Sequence, residues 1–124
     1  MTEREIKQFL GDNGYPAHVV KDGKKGLLKR WRTFVEEVER GYKLGLEDYR
    51  NDLDLRGIIS ILKLDAEIVE YDARLKKMLA HPEILVWETS EDRKAAFWIH
   101  GYPKNASGDL LADLRTEGLA KSTQ

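Results

Sequence analysis

Apolar residues recur at three- and four-residue steps between Leu27 and Tyr42: Leu27, Leu28, Trp31, Phe34, Val35, Val38 and Tyr42. Arg30, Arg32, Glu36, Glu37, Glu39 and Arg40 fill the gaps. That spacing predicts a helix from about Leu27 to Arg40, ended by Gly41, with one apolar stripe and a charged remainder. Such a stripe needs other elements to cover it, so the chain reads as a packed domain.

The flanking segments supply those elements. Thr2 and Glu5 have the spacing of a capping box, and Ile6, Phe9 and Leu10 share a face, predicting a first helix that ends at Gly11 and Gly14. Residues 15–20 read equally as a short strand or an ordered loop. Asp22, Gly23 and Gly26 bracket a basic turn with Lys21, Lys24 and Lys25. Leu46, Tyr49 and Leu53 open a third helical stretch that Ile58, Ile59, Ile61 and Leu62 continue. A break is expected near Asp52 to Asp54, because short polar side chains compete for the backbone. A fourth helix is predicted from Asp65, as N-cap, to Ala80, stopped by Pro82.

After Pro82 the period shortens. Residues 83–88 and 95–100 are short apolar runs around the polar turn 89–94, which predicts a β-hairpin, with a short helix as the alternative because Ala95 and Ala96 favour one. A small helix with Leu110, Leu111 and Leu114 follows and closes at Gly118. The expected fold is α+β, mostly α: a bundle of about four helices, a short C-terminal hairpin and a small terminal helix. Residues 1–120 form a single α-rich domain on this reading, and 121–124 a disordered tail. The expected core comprises Phe9, Leu28, Trp31, Phe34, Val35, Val38, Tyr49, Leu53, Ile59, Leu62, Leu75 and Leu79.

Composition narrows the function classes. In 124 residues 35% are charged and none is cysteine, which removes disulfides, thiolate nucleophiles and cysteine-based zinc sites. No apolar run reaches the ~20 residues of a membrane span, so no membrane role and a cytoplasmic location are expected. The net charge of −1 hides an uneven distribution. Residues 1–32 are basic, with eight Lys or Arg against four Asp or Glu, and residues 33–54 are acidic, with three against seven.

The densest set of side-chain oxygens is Glu47, Asp48, Asn51, Asp52 and Asp54. It begins like a calcium loop at Asp52 and fails at Arg56 and Lys63, where ligands are required, so no metal or other cofactor is expected. Helix capping and a solvated surface account for the cluster, as does a recognition surface for a basic partner. Glu36–Arg40, Glu39–Lys43, Glu70–Arg74 and Asp72–Lys76 have the spacing of surface ion pairs along one helix. His100, among Trp98, Tyr102 and Lys104, is the one histidine with neighbours suited to acid–base work. No serine lies in a nucleophile motif, and Gly23 to Gly26 lacks the spacing of a phosphate loop.

The leading expectation is therefore a non-enzymatic, cytoplasmic protein-binding module, of which an antitoxin or immunity-type inhibitor of a basic effector is one version. Its partner surface is expected to use Glu36, Glu37, Asp48, Asp52 and Asp54, with Trp98 and Tyr102 as aromatic anchors. The alternative is a small nucleic-acid-binding protein or a metal-independent ribonuclease, with Lys21, Lys24, Lys25, Lys29, Arg30 and Arg32 on phosphates and His100 as acid or base. With 21 Lys or Arg against 22 Asp or Glu, a wholly basic face is not expected, which disfavours nucleic acid as a partner.

Overall fold

The computed structural model describes residues 2–87 and 96–120. Its elements, in chain order, are α1 (Glu3–Asp12), α2 (Ala17–Arg40), α3 (Leu46–Ile61), a 3₁₀ turn (Asp65–Ile68), α4 (Val69–Met78), β1 (Leu79–Leu85), a second 3₁₀ turn (Phe97–Ile99), β2 (His100–Pro103) and α5 (Gly108–Thr116). The architecture is α+β and mostly helical, with one antiparallel two-stranded sheet. The polar turn expected at 89–94 and the tail expected at 121–124 lie outside the described residues.

α2 is the central element, and its stripe is buried as the periodicity requires: Trp31, Val35 and Val38 are fully enclosed. α1, α3 and α4 pack around it. Of the expected core, Phe9 and Leu79 are only partly covered and the rest are buried. Ile6, Leu10, Ile68, Leu110 and Leu114 complete the interior.

Several boundaries differ from the sequence reading, each for a physical reason. The second helix begins at Ala17 rather than near Leu27, so residues 17–20 are neither strand nor loop. Gly23 interrupts it with φ +55°, and the Lys24 amide beyond the kink donates to the Glu3 carboxylate at 3.1 Å. α1 thus caps the longer part of α2, and a Cβ at position 23 would lie 1.8 Å from Glu3 Oε1.

α3 runs unbroken through Asp52 and Asp54. Their carboxylates are taken by the Tyr42 hydroxyl and the Trp87 indole N–H, so neither competes for its own backbone. The α3 N-terminus is capped from α5, where Asp113 accepts the Leu46 amide at 3.0 Å. Gly45 permits that approach, since a Cβ there would stand 2.6 Å from Asp113 Oδ2.

Asp65 starts a 3₁₀ turn and is not a helix N-cap, because its carboxylate is held by Ser60 and Arg56 instead. α4 ends at Met78, and Pro82 lies within β1. The strands sit away from the expected runs: β1 starts four residues early, and residues 97–99 form a 3₁₀ turn ahead of β2. Leu79 pairs with Pro103, Ala80 with Tyr102 and Leu85 with His100, which leaves a bulge between Ala80 and Leu85. A two-stranded sheet has only edge strands, where a proline without an N–H is tolerated.

Candidate functional site

The charged residues of α2 and α4 tie helices together instead of pairing along their own helix. Arg74 binds Glu39 of α2 through two hydrogen bonds, which hold the Glu39 carboxyl below its usual range. Asp72 does not pair with Lys76. It accepts the Trp31 indole N–H at 2.9 Å and Arg56 through both oxygens, at 3.1 and 2.7 Å.

Among the described residues Arg56 is the buried charge, 3% exposed. Its guanidinium also reaches Asp65 at 2.7 Å and Ser60 at 2.9 Å, and lies 4.4 Å from the Trp98 ring centre. Burial opposes its charge, but the two carboxylates outweigh burial and raise its pKa further. This cluster fastens α3 to the 3₁₀ turn and to α4. It also accounts for Trp98, which is half-buried on a structural arginine.

The other side of α3 is different. Between α2 and α3 lies an open cleft of about 410 Å³ bordered by Arg30, Thr33, Phe34 and Glu37 of α2, Asn51, Asp52, Asp54 and Leu55 of α3, and Tyr15. Asp52 is half-buried there and accepts the Tyr42 hydroxyl at 2.6 Å. Burial pushes the Asp52 carboxyl above its usual range; the Tyr42 bond pulls it down, while the charges of Glu37 and Asp48 push it up again. Tyr42 is driven up in turn, first by burial and then by Asp52. Tyr49, fully buried beside them, is raised by burial and by the same aspartate.

What distinguishes this aspartate is the company it keeps. Neither Arg50 nor Arg56 offsets its charge: Arg50 is bidentate on Glu117 and donates to the Val86 carbonyl, and Arg56 is consumed as described. Among the described residues, Glu36, Glu37, Asp48 and Asp52 have no ion-pair partner within 4.0 Å. The i,i+4 pair expected between Glu36 and Arg40 is not formed.

The structure thus gathers Glu37, Asp52 and Asp54 at one cleft, with Asp48 close enough to act on Asp52 electrostatically. Glu36 lies on the same helix as Glu37, outside the cleft lining. Trp98 and Tyr102 are not brought to it. Tyr102 belongs to β2 and stacks on His81 at 5.3 Å between ring centres. His100 is half-buried opposite Leu85. Of the basic set, Lys24 pairs with Glu67 at 2.7 Å, Arg32 lies over Tyr71 and Arg30 borders the acidic cleft. Among the described residues no group of three or more His, Asp and Glu side chains converges as a metal site, and no helix is long and apolar enough to cross a membrane.

The sequence reading does not place Arg56 or Tyr42 in a site, and it expects Arg30 on phosphates, whereas Arg30 borders the acidic cleft. Arg56 carried a readable signal, since it falls on the buried stripe of Tyr49 and Leu53 at three-residue spacing. The Tyr42 hydroxyl gave none, because its partner lies across the α2–α3 connection. No known protein family, curated protein or solved structure matches this chain.

Proposed function

We propose that the chain is a non-enzymatic binding module that takes a basic segment of a protein partner at the α2–α3 cleft. The observation that carries this reading is the setting of Asp52 in the cleft. Asp52 is a half-buried carboxylate repelled by Glu37 and Asp48, with no cation at ion-pair distance among the described residues. A lysine or arginine entering the cleft supplies the missing counter-charge, and charge-assisted bonds to carboxylates are stronger than neutral ones. The acidic surroundings also speed encounter with a basic partner.

An antitoxin or immunity-type protein that masks a basic effector in the cytoplasm is the concrete form of this reading. The test uses a lysine-rich peptide and a glutamate-rich control, titrated calorimetrically at low and high salt. Wild type should bind the basic peptide alone, with affinity falling as salt rises. The double variant E37Q/D52N should lose at least tenfold. Equal binding by wild type and variant removes the cleft from the account.

A further inference from the structure

We infer that the outer ridge of α2 is a docking face for a second copy of this chain, paired antiparallel about a two-fold axis at Thr33. α3 covers one flank of α2 through Tyr42 and Asp52, and α4 covers the other through Arg74 on Glu39 and Tyr71 beneath Arg32. Between the flanks the ridge carries Lys29, Arg30, Thr33, Glu36 and Glu37, none of them fully buried. Its charge reverses across Thr33, two cations on the N-terminal side and two carboxylates on the other. All four lack an ion pair among the described residues, although Arg32 and Arg40 each stand four residues from Glu36.

Helix geometry makes this arrangement self-complementary. At about 1.5 Å rise and 3.6 residues per turn, a two-fold at Thr33 sets Glu36 beside Lys29 of the second copy and Glu37 beside its Arg30. Each opposed pair is offset along the axis by only about 1.5 Å. The two-fold repeats both pairs, and an isologous contact of this kind closes at two copies. Exposed ion pairs are individually weak, so the association is weak and is released by salt. It shares Arg30, Thr33 and Glu37 with the rim of the α2–α3 cleft, so a basic segment bound there competes with the second copy.

Sedimentation velocity over a concentration series into the millimolar range tests it. Wild type should rise from one-copy toward two-copy mass at low ionic strength and return to one copy in ~1 M salt, where charges are screened beyond about 3 Å. The all-acidic variant K29E/R30E and the all-basic variant E36K/E37R should each remain single, with circular dichroism confirming the fold. Mixed in equal amounts they should form a one-to-one pair, and the fourfold swap K29E/R30E/E36K/E37R should regain self-association. A wild type that stays single at every concentration overturns the inference. So does association that either charge-reversed variant retains, or a mixture of the two folded variants that does not pair.

Discussion

At the residue scale, the same side-chain type plays opposite roles on the two sides of α3. Asp72 and Asp65 share the cation of Arg56, and Asp65 is held below the usual carboxylate range: burial raises it, but the bonds from Ser60 and Arg56 outweigh burial. Asp52 is raised instead. The signs of their pH dependence differ accordingly. A lowered carboxyl gives stability that is present above its unfolded value, near 3.9, and lost as pH falls through the folded one. Asp52 binds its proton more tightly in the folded state, so its contribution falls as pH rises from about 3.9 through the raised value. Asp52→Asn keeps an acceptor for Tyr42 and removes the repulsion from Glu37 and Asp48. It should leave the protein as stable as wild type or more stable by up to about 1 kcal/mol at neutral pH, measured by urea denaturation, while weakening capture of a basic peptide. A large loss of stability would show that the charge serves the fold. Tyr42→Phe should cost about 1–2 kcal/mol and raise Asp52 further in a carboxyl NMR titration, because the carboxylate loses its donor.

At the scale of elements, helices here begin and join through side chains supplied from afar. Glu3 caps α2 after its kink and Asp113 caps α3. Asp113→Ala should cost about 1 kcal/mol, the usual value of a lost cap. Arg56→Ala strips Asp72 of its cation inside the protein and separates α3 from α4, which should cost about 3–5 kcal/mol in the same denaturation experiment. Asp65, about half in solvent, contributes the smaller part of that loss. These long-range caps explain which boundaries could be read from sequence. The Thr2–Glu5 capping box is local, three residues apart, and both of its bonds form at 3.1 Å. The end of α2 at Gly41 and the burial of its stripe are local as well. The continuity of α3 through Asp52 and Asp54 rests on Tyr42 and Trp87, which no spacing rule connects to them. The strand boundaries follow from pairing between distant segments, Leu79 with Pro103 and Ala80 with Tyr102, which no local pattern encodes.

At the scale of the whole molecule, apolar side chains and the buried Arg56 hold the five helices and the two-stranded sheet of the described residues together. Asp52 and Asp54 of the α2–α3 cleft contribute through their bonds from Tyr42 and Trp87, whereas Glu37 has no ion pair among the described residues. Candidate residues on a shared helical neighbourhood, Glu37, Asp52 and Asp54, were legible from sequence as an acidic set. The aromatic residues offered as its companions were not its neighbours, because contacts between the hairpin and the helices depend on tertiary packing: Trp98 went to Arg56 and Tyr102 to His81.

The most direct measurement is a backbone amide NMR titration of the protein with a lysine-rich peptide, repeated on Asp52→Asn. A basic segment held at Asp52 should give saturable, salt-sensitive shifts concentrated at Glu37, Asp48 and residues 51–55 in wild type, and their loss in the variant with the rest of the spectrum preserved. Shifts that centre elsewhere, or that persist unchanged when Asp52 loses its charge, would contradict binding at the cleft.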